Sequence, residues 1–125
     1  MRKSILAQNT ACNAIVQLVD QGATYPNGYL NIFTSDSTLL TSMPLSYPAY
    51  MDATDGTSVA NMIYDSTVFT DGTAALYTIV NRDSTVIWDG SVSTSAGIGD
   101  VKLNSVVLFT DSTVSITNAF YYVPR

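Results

Sequence analysis

With 125 residues, the chain has room for one sizeable core and not for two, so residues 1–125 are expected to form a single domain. It is 46% hydrophobic but only 12% charged, where globular proteins carry roughly 25% charged residues, and all of its acidic residues are Asp. Five Lys and Arg against ten Asp give a net charge of -5, a sign that works against phosphate-backbone contacts and so against nucleic-acid binding.

The start, Met1-Arg2-Lys3, is basic like a signal region, but Gln8, Asn9 and Thr10 arrive before a long apolar stretch develops. No run approaches the roughly 18 apolar residues of a membrane span, and the expectation is a chain neither secreted by its own signal nor embedded in a bilayer. Over about residues 3–20, Ala7, Ala11, Ala14, Ile15, Leu18 and Val19 recur at spacings of three and four, which predicts a helix with those residues on its inner side. Cys12 lies within it as the chain's one cysteine, so no internal disulfide forms, and a small buried side chain is expected.

Gly22 stops the helix, and Asn27-Gly28 favours a tight turn before a strand at Tyr29-Leu30-Asn31-Ile32-Phe33, where Leu30 and Ile32 share a face. Residues 39–50 contain Pro44 and Pro48, neither of which can donate to a ladder, and are expected to be an edge strand or an extended surface segment containing Leu45 and Tyr47. After a turn at Asp52-Ala53-Thr54-Asp55-Gly56, residues 57–64 have strand character, and Val68-Phe69 marks a short strand or bulge. Residues 74–88 are the clearest hairpin, turning at Asn81-Arg82-Asp83-Ser84, with Leu76 and Val80 on one face and Tyr77 and Ile79 on the other. Residues 95–100 are flexible by composition; Val101, Leu103, Val106 and Leu108 are strand material. A last hairpin is expected to join residues 106–109 to 114–122 through Thr110-Asp111-Ser112-Thr113. One N-terminal α-helix and about eight short strands predict a mainly β fold: an antiparallel β-sandwich, jelly-roll-like, or a compact barrel.

Four Asp-Ser-Thr tripeptides, beginning at Asp36, Asp65, Asp83 and Asp111, each run into apolar or β-branched residues and predict turns that feed strands. Their uneven spacing excludes a solenoid or propeller.

There is no His, so neither an imidazole relay nor a histidine metal cluster can be built, and Cys12 has no imidazole to activate it. Asp52 with Asp55, or Asp83 with Asp89, could formally act as paired carboxylates, and Asp52, Asp55 and Asp100 could offer oxygen ligands to calcium. Each lies among Gly, Ser or Thr, where Asp serves as a backbone acceptor; the expectation is no catalytic residue, no metal and no cofactor. Tyrosine suits interfaces because its ring buries apolar area while its hydroxyl stays wet, and Tyr47, Tyr50, Tyr121 and Tyr122, beside prolines, a turn or the chain end, are the interface candidates. Tyr77 and Trp88 are read as core or half-buried strand residues.

The order of these segments resembles small virion proteins common in tailed bacteriophages. The similar stretches are Asn9-Thr10-Ala11-Cys12-Asn13-Ala14-Ile15-Val16, Gly28-Tyr29-Leu30-Asn31-Ile32-Phe33, Leu39-Leu40-Thr41 before Pro44-Leu45-Ser46-Tyr47-Pro48-Ala49, Asp71-Gly72-Thr73-Ala74, and Trp88-Asp89-Gly90-Ser91-Val92-Ser93-Thr94-Ser95. Val101-Lys102-Leu103-Asn104-Ser105-Val106 and Thr113-Val114-Ser115-Ile116-Thr117 complete it. The resemblance implies a non-enzymatic component of a phage particle on the capsid surface, a decoration or cement protein that binds the major capsid protein and itself as a possible homo-oligomer. A tail or head-tail connector subunit is the first alternative, and a carbohydrate-binding surface exposing Tyr47, Tyr50 or Trp88 is the second.

Overall fold

The computed structural model describes residues 2–94 and 96–123. It is mainly β with one N-terminal helix. The helix, α1 (Ile5–Gln17), is capped by Ser4, whose Oγ accepts from the Ala7 amide at 3.1 Å, and it runs into a tighter turn at Leu18–Asp20. Among the described residues eleven strands follow: β1 (Tyr29–Phe33), β2 (Leu39–Pro44), β3 (Thr57–Val59), β4 (Ser66–Thr67), β5 (Gly72–Thr73), β6 (Leu76–Val80), β7 (Val86–Thr94), β8 (Val101–Leu103), β9 (Val107–Leu108), β10 (Thr113–Val114) and β11 (Ile116–Tyr122).

Seven of them form one sheet in the order β2-β1-β6-β7-β8-β11-β3. Its two edges are drawn together by the segments that continue β2 and β3. Leu45 bridges Ile63 and Tyr50 bridges Ala60, supported by the Asn61 amide donating to the Ala49 carbonyl at 2.9 Å and Tyr64 to Pro44 at 3.0 Å. The sheet thus curls onto itself, which removes long bare edges. Enclosed within it, Leu30, Ile32, Met43, Leu45, Ile79 and Leu103 are completely or almost completely buried, each worth about 1.5–3 kcal/mol in apolar area taken from water.

The helix closes the end where β11 finishes and β3 begins. Asn9 and Asn13 accept from the Gly56 and Ala53 amides, both at 2.8 Å, and Gln8 Nε2 donates to the Val123 carbonyl at 2.9 Å. Its inward residues are Gln8, Cys12, Val16 and, past its end, Val19. The expected face of Ala7, Ala14 and Leu18 is exposed: the stripe is displaced by one position because Gln8, polar in sequence, is used as a buried link to the C-terminal strand. Cys12 is buried, its thiol directed at the Tyr121 carbonyl, and loss of hydration raises its pKa.

Ribbons β4–β10 and β5–β9 cover the opposite end; they contribute Leu108 and Val114 to the core, and Val68 and Ala74 enter it just after β4 and β5. They correct the expected last hairpin. Thr110–Thr113 does turn, with the Ser112 amide donating to the Phe109 carbonyl, but β9 pairs with β5, β10 with β4, and β11 with β8 and β3. Two other expectations need adjustment. Only the first three residues of the segment 57–64 are strand, and Asn27-Gly28 forms no tight turn: Gly28 is buried where a Cβ would meet the Val80 carbonyl at 2.6 Å.

The hairpin β6–β7 forms as the sequence predicts, and its turn matches that of β1–β2. In both, the fourth residue's amide donates to the first residue's carbonyl (Ser37 to Thr34, Ser84 to Asn81, each 3.0 Å), and the first residue's amide donates to the fifth's carbonyl (Thr34 to Thr38 and Asn81 to Thr85). Ser37 (φ 70) and Ser84 (φ 64) take the left-handed position that a three-residue hairpin loop usually gives to Gly. The other two tripeptides meet each other: Thr67 lies opposite Thr113 in β4–β10.

Among the described strands, one sheet pair is parallel. β7 and β8 run side by side with only residues 95–100 between them, where parallel neighbours usually need about a dozen residues or more. The return is possible because it lies directly on β7: a Cβ at Gly99 would come within 2.7 Å of the Ser93 amide and the Val92 carbonyl carbon, and the Gly99 amide donates to Ser93 Oγ at 2.9 Å.

Candidate functional site: a slot between β7 and β11

β8 starts only at Val101, opposite Val92 of β7 and Ala119 of β11. Beyond that point Trp88, Asp89 and Gly90 on one side and Phe120, Tyr121 and Tyr122 on the other face each other with no strand between them. Strands two places apart in a sheet are separated by roughly 9–10 Å, a gap that side chains must fill. Here they leave a cavity of about 160 Å³.

Strand alternation sorts its lining. Trp88 lies opposite buried Ile79, and Gly90 opposite Tyr77, so Trp88 and Tyr77 belong to the inner face with Tyr121. The Trp88 ring is 4.6 Å from that of Tyr121 and 5.4 Å from that of Tyr50, edge-on to the latter. Asp89, Phe120 and Tyr122 have the opposite parity and form the outer rim, with the Phe120 and Tyr122 rings 6.2 Å apart. Asp100, the last residue before β8, completes the wall; its amide donates to the Ser91 carbonyl at 3.0 Å. A side chain on Gly90 would collide with the Asp100 carboxylate and, at 2.8 Å, with the Tyr77 ring.

Burial raises the Tyr77 phenol to about 12, a rise that a hydrogen bond with Trp88 opposes and that Asp100 and Asp89 reinforce. Burial also pushes the Tyr50 phenol up, with Tyr77 adding to it. Among the described residues, no basic side chain lines the slot. Arg82 donates to the Tyr25 carbonyl at 2.7 Å and lies 5.3 Å from the Tyr47 ring centre, while Lys102 is held by the Gly97 carbonyl and Ser93 Oγ.

Of the four interface candidates, Tyr121 and Tyr122 meet in this slot. Tyr122 is 56% exposed and Tyr121 partly buried. Tyr47 lies elsewhere, 61% exposed under Arg82. Tyr50 is 7% exposed and belongs to the core beside Trp88, so it presents no surface; the bridge to Ala60 that closes the sheet turns it inward. Sequence reasoning named Trp88 but did not bring Asp89 and Asp100 together. The available signal was Gly90, a small residue inside a strand beside an aromatic.

Other aspartates do structural work. Asp83 accepts from the Ala23 and Thr24 amides, both at 3.0 Å, and from Thr24 Oγ1 at 2.8 Å; Asp71 accepts from the Thr110 amide at 2.6 Å and its hydroxyl at 2.8 Å. These bonds hold both carboxyls below the usual range, as the Thr34 and Thr38 hydroxyls do for Asp36. Among the described residues, no three His, Cys, Asp or Glu side chains gather as a metal-binding set, and no helix is long and apolar enough to cross a membrane. No family model matches the chain, and no curated protein or solved structure is found to match it.

Proposed function

We propose that this chain is a phage virion structural protein, a decoration or cement protein that stabilises the shell through protein-protein contacts with the major capsid protein. The observation that carries this reading is the distribution of exposed large apolar side chains over a closed β scaffold. They occur on the helix at Leu6, on the segment after β3 at Met62, at the β9–β10 turn at Phe109, and in the β7–β8 loop, where Ile98 is 99% exposed. Exposed apolar area in that quantity suits a surface covered by neighbours on several sides. The low charge and the resemblance of nearly the whole chain to small virion proteins agree with it. Repetition across a shell allows each contact to be modest, because linked sites gain apparent affinity through effective concentration.

Cryo-microscopy of purified particles with a copy number for this protein tests the reading. Density on the shell with a copy number that scales with capsomers is the expected result. A small fixed ring would make it a connector subunit, and particles without the protein would end the proposal.

A further inference from the structure

We propose that the slot between β7 and β11 receives the guanidinium of an arginine presented by a protein partner. The identity of that partner rests on the virion reading, but the chemistry of the slot does not.

A planar cation matches what the slot offers. Asp89 and Asp100 are acceptors only, and among the described residues neither accepts a side-chain hydrogen bond or pairs with a cation, while both face the same cavity. A guanidinium has donors along its edges for two carboxylates and a flat face that stacks on aromatic rings, here those of Tyr121 and Tyr122 at the slot. An ammonium supplies the charge but not the plane. A saccharide needs a flat ring with an open face, whereas the Trp88 ring already packs against those of Tyr50 and Tyr121. The chain's net charge of -5 draws a cation toward the site from a distance. The slot is preformed, because Gly90 leaves room for the Asp100 carboxylate and the intervening strand β8 begins only at Val101.

Trp88 is the chain's only tryptophan, so its emission reports on this site alone. The test titrates the full-length protein with N-acetyl-arginine methylamide, its neutral citrulline counterpart, N-acetyl-lysine methylamide and methyl glucoside, exciting at the red edge where tyrosine does not absorb. The expected result is a saturable change with the arginine probe at a Kd on the order of 1 mM, at least about tenfold weaker binding of the lysine probe, and no response to citrulline or glucoside. D89N and D100N should each weaken arginine binding by about tenfold while melting within a few degrees of the wild type. A saturable response to the glucoside, equal responses to arginine and citrulline, or no response to arginine overturns the proposal. Binding of the arginine probe by a protein that particle imaging fails to find on the shell would leave the slot's chemistry standing and remove the capsid as its partner.

Discussion

The rings of Trp88 and Tyr121 lie 4.6 Å apart at an interplanar angle of 41°, although the strands that carry them are not neighbours in the sheet. β8 belongs between them and starts too late to reach them, so two side chains take over from a backbone ladder. The same shortfall makes the slot and sets the order in which parts of the protein matter.

Trp88→Ala should therefore remove a strut as well as apolar area. A loss of about 3 kcal/mol in unfolding free energy is expected from a urea titration, with Trp88→Phe costing well under half of that. A Trp88→Ala protein within about 0.5 kcal/mol of the wild type would show that the rings fill space without holding β7 to β11.

Gly99→Ala tests the short parallel return. The atoms that its Cβ would meet at 2.7 Å are backbone atoms of Val92 and Ser93, which cannot rotate away. A cost of about 1–3 kcal/mol is expected, together with faster amide hydrogen exchange in β8 while β1 and β6 stay protected. Unchanged exchange in β8 would place the return loop off the strand.

The Asp-Ser-Thr tripeptides should respond to one substitution with opposite signs. Ser37→Gly and Ser84→Gly relieve a left-handed serine and should each stabilise by about 0.5–1 kcal/mol. Their effects should add, since the two turns lie at opposite ends of the β1–β6 pair. Ser66→Gly, inside β4, should destabilise by a similar amount. Thermal melts of the three variants decide it; a common sign for all three would contradict the assignment of the turns.

Acid should destabilise the protein through Asp36, Asp71 and Asp83. Their carboxyls titrate lower in the folded state than the unfolded value of about 4, so their contribution is complete above that pH and is lost as pH falls through the folded pKa. Asp20 runs the other way. Burial raises its pKa despite the Ala49 amide and Arg82, so protonating it on the way down favours the folded state and blunts the loss. The double variant Asp71→Asn and Asp83→Asn should flatten the fall in stability between pH of about 5 and about 2, read from urea midpoints. An unaltered slope would show that these bonds are as favourable to the neutral side chain.

Much of the chain was legible residue by residue because the determining interactions are local. Asn81-Arg82-Asp83-Ser84 closes its own hairpin, and the parity of Tyr77 and Ile79 against Leu76 follows from strand alternation. The helix face was displaced by one position because Gln8 is buried by a bond to Val123, more than a hundred residues away, that no periodicity reveals. Of the interface candidates, Tyr121 and Tyr122 line the slot, whereas Tyr50 is buried in the core where the sheet closes over it.

By itself, the sequence determined a β-rich chain with one N-terminal helix, the hairpin turn at Asn81-Arg82-Asp83-Ser84 and the faces of its central strands, since these depend on backbone preferences and side-chain alternation over a few residues. Only the tertiary structure decided that β9 and β10 leave each other for β5 and β4, that β7 and β8 run parallel, and that Asp89 and Asp100 share one cavity with Trp88. Pairing partners are chosen among all the edges left open when the chain collapses, and that competition is settled by the whole core at once.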